Sequence, residues 1–192
     1  MQNPTSEIGA VVSLLTAAAA PDIQKAAFLR YMTSDAGFRH PLCSVLPGPG
    51  SRERVLGIYQ WYRIMSPRID ITVNNVVYDE TNRILLLDVV QLFHIRFSPF
   101  KPAPARLLVR LTLRQDHDGL FYIALQEDFY HPDDFMALLA PPLSPLVRLG
   151  LSMTGRASDI YAKCGRLLGI WTSETGVAHG GGLYDDEDKK TQ

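Results

Sequence analysis

The chain predicts an α+β fold: three N-terminal helices packed on a curved antiparallel sheet, with a C-terminal amphipathic helical segment after it. Three observations predict this. Apolar residues recur at three- and four-residue spacing up to Met65. From Ile69 to Tyr130 they alternate with a period of two. Proline, glycine, Asn and Asp clusters punctuate these periodic runs.

The sheet is organised around Arg83 to Arg114. Leu85, Leu87, Val89, Gln91, Phe93, Ile95 and Phe97 share one face of a first strand, and Leu107, Val109, Leu111 and Leu113 share one face of a second. Pro99, Pro102 and Pro104 cannot all donate to a ladder, so pairing opens at the tip between them. The concave face is expected to carry Gln91, Phe93 and Ile95, and a sheet with one apolar face needs helices to cover it.

Taken in order, Thr5 or Ser6 caps a first helix running to about Ala19, with Ile8, Val11, Leu15 and Ala18 on one face. Pro21 starts a second helix, ending near Thr33, with Ile23, Ala27 and Tyr31 on one side and Phe28 beside them. Ser34-Asp35-Ala36-Gly37 predicts a turn, and Phe38 to Cys43 a short extended piece. Ser51 is the expected cap of a third helix carrying Val55, Ile58, Tyr59 and Tyr62 on one face, stopped by Pro67. Ile69, Ile71 and Val73 then change parity to Val76 and Tyr78, which predicts a bulge near Asn74-Asn75. Turns at 79–82 and 115–119 connect the remaining strands, giving four in meander. The last strand runs from Leu120 to about Tyr130, and a short helix follows from Pro132 to about Ala140.

At 192 residues the chain is long enough for one domain with a sizeable core, with a segment to spare. Its net charge of −1 and the absence of a dense Lys/Arg stripe before residue 140 speak against nucleic acid as a partner. Cys43 and Cys164 have no CxxC or Cys/His spacing, so a reducing compartment is expected. No basic leader precedes the first apolar run, and no apolar stretch is long enough for a simple membrane span. The expected location is intracellular, cytoplasmic or peripheral to a membrane. His40, His94, His117, His131 and His179 form no i, i+4 or HxH pair, so no metal is expected. Without a Gly-rich strand-to-helix turn, no cofactor is expected either.

The phrases RYMTSDAGFRHPLC, IYQWYRIMSPRI, QLFHIRFSPF and LQEDFYHPDDF, in this order of elements, resemble the nuclear transport factor 2-like (SnoaL-like) α+β cone superfamily, and within it the SigF-like subgroup. The resemblance covers about residues 5 to 140. It implies a pocket between sheet and helices, with Tyr31, Phe38, His40, Tyr59, Trp61, Tyr62, Gln91, Phe93, Gln126, Asp128 and Tyr130 as candidates for its wall. Large aromatics equally serve as core. His40 and Asp128 are the sharpest pair: a His–Asp contact in an apolar cavity raises the basicity of the imidazole. Alternatively, a desolvated Asp128 acts as the base while a tyrosine hydroxyl polarises a carbonyl, as the resemblance to isomerases implies. The plain structural alternative is that His40 caps the turn before Pro41 and that Asp128 bonds backbone amides.

Two features lie outside this plan. Phe97 and Phe100 stand at the tip among Arg96, Lys101 and Arg106, and suit either a membrane interface or packing under the tail. Residues 141–171 form an appendage in which Arg148, Arg156, Lys163 and Arg166 oppose the single Asp159, and Trp171 closes its apolar positions. Residues 172–192 are glycine-rich and acidic and are expected to be disordered. The domain plan is therefore a cone over 1–140, the appendage, and a tail. The sequence first suggests a binding domain for a small apolar or lipid-like ligand, with peripheral membrane contact through Phe97, Phe100 and Trp171. The alternatives are a cofactor-independent isomerase, dehydratase or cyclase using Asp128 or His40, and a non-catalytic homodimer module pairing through the convex sheet face. A buried Asp128 in a cavity of roughly a few hundred Å3 would favour the enzyme, and a purely carbon-lined pocket the carrier.

Overall fold

The structure is a computed structural model that describes residues 1–170. Three helices, α1 (Pro4–Ala17), α2 (Pro21–Tyr31) and α3 (Ser51–Met65), precede most of a six-stranded sheet ordered β2-β1-β6-β5-β4-β3. Its strands are β1 (Met32–His40), β2 (Cys43–Val45), β3 (Ile69–Asp79), β4 (Ile84–Phe93), β5 (Ala105–Gln115) and β6 (Phe121–Tyr130). Helix α4 (Pro132–Leu139) closes this part, and a 3-10 turn at Pro141–Leu143 leads into α5 (Ser144–Leu167). The chain falls into two units, Met1–Val147 and the remainder, and at the start of α5 Ser144 is buried with its hydroxyl donating to the Asp133 carbonyl at 2.9 Å. The expected polar tail and Trp171 lie outside the described residues.

The helix caps differ in detail from expectation. Asn3, not Thr5 or Ser6, caps α1: its side chain accepts from the Ser6 amide at 3.3 Å, and Glu7 reaches back to the Gln2 and Asn3 amides at 2.7 Å. The predicted inner face of α1 is buried throughout, Ala18 just past its end included. In α2 the buried face is Gln24, Ala27 and Phe28, while Ile23 is exposed. Gln24 tolerates burial because its amide donates to the Leu15 carbonyl at 2.6 Å. Gly50 caps α3 with a positive φ of 71°, and Ser51 is fully buried just inside the helix.

The four predicted strands form, and two more join them. β1 and β2 replace the turn read at 34–37 and the short extended piece after it. β1 pairs in parallel with β6, with a register shift between Met32 and Gly37. Such pairing is set by a distant segment, which overrides the turn preference of Ser34-Asp35-Ala36-Gly37. Glycine is needed at position 37 for another reason. A Cβ there would lie 2.8 Å from Pro47 Cγ and 2.9 Å from Leu125 Cδ1. Gly37→Ala is therefore expected to cost about 1–3 kcal/mol through overpacking, read as a lower urea midpoint with an unchanged slope.

The predicted bulge is present, with the β3–β4 register shifting between Val73 and Asn75. A second shift, between Thr112 and Leu113 of β5, leaves Ala124 of β6 unpaired. It changes the inward parity of β6, so that Ile123 is followed inside by Gln126, Asp128 and Tyr130. β4 ends at Phe93 rather than Phe97. Beyond it, the His94 amide donates to the Arg68 carbonyl and the Arg96 amide to the Met65 carbonyl, and Phe97 turns the chain with a φ of 63°. Phe93, Val109 and Leu111 are all buried, as the predicted register requires. On the opposite face Arg106 holds Asp88 through two 2.8 Å bonds, and Arg110 holds Glu127 at 2.5 Å.

Candidate functional site

An apolar cavity of about 70 Å3 lies between the concave face of the sheet and the helices. One water needs roughly 10–15 Å3, so the space holds several waters or a small organic molecule. It is smaller than the few hundred Å3 that would favour an enzyme on size alone, while its wall is not purely carbon, as a simple carrier would have it. Its carbon wall includes Leu15 of α1, Ile71 of β3, Val89 of β4, Leu107 of β5 and Leu139 of α4. Its polar groups are concentrated on β1, β4, β6 and α3.

Three of these polar groups form a chain. The Tyr59 hydroxyl donates to Gln126 Oε1 at 2.9 Å, which turns the amide nitrogen of Gln126 towards Asp128. That nitrogen donates to Asp128 Oδ1, also at 2.9 Å. Gln126 and Asp128 can meet this way because residues two apart on a strand share a face. No cation pairs with Asp128 among the described residues. Withdrawal from water therefore dominates, and it pushes the carboxyl up to about 7, with the Gln126 bond opposing the rise. Asp128 keeps part of its surface accessible. Together with His40 and Tyr130 it lines both the cavity and a surface cleft formed with Arg39, Pro41, Glu127 and Phe129.

Tyr130 has a different role in the geometry. Its hydroxyl oxygen accepts from Gln91 Nε2, which leaves its own proton available to donate. Burial, with Asp128 adding a smaller effect, holds its ionisation well above the usual range, so it stays a neutral donor. Tyr62 is likewise raised by burial, and its hydroxyl lies 3.8 Å from Cys43 Sγ.

His40, at the end of β1, is caged by the rings of Tyr62, Tyr130 and Phe135 at 5.9, 5.4 and 6.0 Å. Its Nδ1 accepts from the Leu42 amide at 3.2 Å, so the neutral ring carries its proton on Nε2. Burial lowers its pKa to about 4. No hydrogen bond joins His40 to Asp128. The expected His–Asp contact is thus absent, and the imidazole is made less basic rather than more. The histidine instead caps the turn made by Pro41 and Leu42, close to the structural alternative that the sequence allowed.

A family model described as the SigF NTF2-like domain matches residues 1–170. The chain belongs to that family. Solved structures agree at the level of the fold. An NTF2-like protein from Anabaena variabilis is 18% identical, with 69% of this chain and 92% of that one covered at a TM-score of 0.52. A putative SnoaL-like polyketide cyclase from Jannaschia sp. is 16% identical, covering 73% and 97% at 0.52. An LEH-like epoxide hydrolase from M. tuberculosis is 14% identical, covering 76% and 99% at 0.51. No curated protein matches the chain.

Within this NTF2-like domain, the expected wall residues divide. His40, Tyr59, Tyr62, Gln91, Phe93, Gln126, Asp128 and Tyr130 line the cavity. Phe38 is buried core instead, 5.7 Å from the Tyr59 ring. Tyr31 ends α2 under the Arg30 guanidinium, and Trp61 is 46% exposed on the outer side of α3. Neither lines the cavity. Sequence reasoning missed the walls from α1 (Val12, Leu15, Thr16) and α4 (Leu138, Leu139), and Phe135 beside His40. The spacing of Phe135, Leu138 and Leu139 at i, i+3 and i+4 was the available signal. At the tip, Phe97 is 95% exposed. Among the described residues no group of metal-binding side chains converges, and no helix is long and apolar enough to cross a membrane.

Proposed function

We propose that the cavity binds a small apolar molecule bearing a carbonyl-type oxygen, and that Asp128 moves a proton on it without a cofactor, in an isomerase-, dehydratase- or cyclase-type reaction. The observation that carries this reading is the Asp128 carboxylate, largely desolvated, unpaired with any cation among the described residues and held by the Tyr59–Gln126 chain. A base with a pKa near the working pH combines a populated ionised form with real basicity. His40, committed to the Leu42 amide and weakened by burial, suits the role less.

The chemistry balances with residues of this chain alone. Ionised Asp128 takes a proton from the carbon beside the carbonyl, and the C–H electron pair moves into a C=C bond. The carbonyl oxygen becomes an enolate, which the Tyr130 hydroxyl is placed to stabilise as a neutral donor. The proton then returns from Asp128 to the same or a conjugated carbon. Binding without turnover is the second reading, and the largely apolar wall favours it as much as it favours the enzyme.

The two are separated by following deuterium uptake from D2O into cyclohexanone and 2-cyclohexenone by NMR. The enzyme reading expects uptake well above solvent exchange, rising with pH through about 7, and lost in Asp128→Asn. If both ketones bind, as judged by line broadening, but exchange no faster with the native protein than with Asp128→Asn, the domain is a binder.

A further inference from the structure

We infer that α5 docks on an anionic lipid surface, lying in the interface plane. Beyond Val147 this helix belongs to a unit of its own, whose described residues include no second layer to bury an apolar stripe. Leu149, Met153, Ala157, Ile160 and Leu167 form such a stripe at helical spacing, and the four large ones are each more than half exposed. Arg148, Arg156, Lys163 and Arg166 fall within a sector of about 80° on one flank, at 100° per residue. The helix thus carries four basic residues against one acidic, Asp159, a net charge of +3 in a chain whose total is −1. Lys163 neutralises Asp159 by an i, i+4 bond of 2.6 Å, so the acidic group does not offset Arg156 and Arg166.

Charge selects the occupant. A second copy of the same helix would bring like charges together along the flank, whereas an anionic bilayer offers counter-charge beside hydrocarbon. The helix is too polar to span a bilayer and of the composition that lies on one. Gly150, Gly155 and Gly165 weaken it in isolation, so insertion of the stripe also stabilises the helical form.

The test is flotation of the full chain with vesicles of phosphatidylcholine alone and with 30% phosphatidylserine, at low and high salt. The expected result is binding to the anionic vesicles at least tenfold stronger than to the neutral ones, and weakened by salt. Each of Arg156→Ala and Arg166→Ala should lower partitioning about fivefold. Leu149→Glu/Ile160→Glu should lower it more than tenfold, with the far-ultraviolet spectrum in buffer unchanged. Equal binding to both vesicle types, no binding to either, or a double Glu variant that floats like the native chain would overturn the inference. So would a native dimer that the double Glu variant converts to a monomer without any vesicle binding, which would assign the stripe to a second copy.

Discussion

Asp128→Asn is expected to make the protein more stable, by about 2–3 kcal/mol above pH 7. The carboxyl sits at about 7 in the fold, against 3.8 as its ordinary value. Between those two values the folded state binds more protons than the unfolded one, so stability falls as pH rises across that window. A shift of that size corresponds to about 4 kcal/mol if water is wholly excluded, and the partial access from the cleft lowers the expectation. The Asn side chain keeps an oxygen to accept from Gln126, so the variant loses charge and little else. Urea unfolding of both proteins at several pH values checks this: the curves should coincide near pH 3.5 and separate up to pH 8. Such a gain on removing a group marks a residue kept for chemistry rather than for stability.

His40 should impose the opposite dependence. Its folded pKa, about 4, lies below the ordinary 6.5 because burial penalises the cation. Between these values the unfolded chain binds the extra proton, so stability is full above pH 6.5 and is lost as pH falls towards 4. The loss amounts to about 3 kcal/mol. His40→Asn keeps an acceptor for the Leu42 amide but does not titrate. It will be less stable than the native protein at pH 7, since it gives up ring contacts with Tyr62, Tyr130 and Phe135. That deficit should narrow by about 3 kcal/mol between pH 6.5 and 4. A deficit constant across that range would mean that the imidazole is solvated in the fold.

The sheet was legible where local pattern and burial coincide. Strand β4 reads as alternation, and the parity change at Asn74 reads as a bulge, because each is a property of a few successive residues. β1 was not legible. Its middle is made of turn-formers, and only the parallel partner β6 and the close approach of Pro47 and Leu125 to Gly37 give it extended form. The bulge at Ala124 was equally silent, yet it decides that Gln126, Asp128 and Tyr130 face inward. In the cavity, Asp128 was singled out through the resemblance to NTF2-like cones, which the phrase LQEDFYHPDDF carries. The missing His40–Asp128 contact could not be foreseen. It depends on a backbone amide, that of Leu42, occupying the histidine nitrogen. Tyr59 as the far end of the chain to Asp128 joins residues 67 apart, a relation that no spacing rule expresses.

Asp128 is read here as a carboxylate raised into the physiological range by its cavity and steadied by Gln126. Its carboxyl carbon can be followed by NMR in the full chain with 13C-labelled aspartate, assigned by comparison with Asp128→Asn. The expected titration midpoint is near 7, moving in Tyr59→Phe as Gln126 loses its anchor. A midpoint below about 4.5, in the range of ordinary aspartates, with no response to Tyr59→Phe, would contradict it.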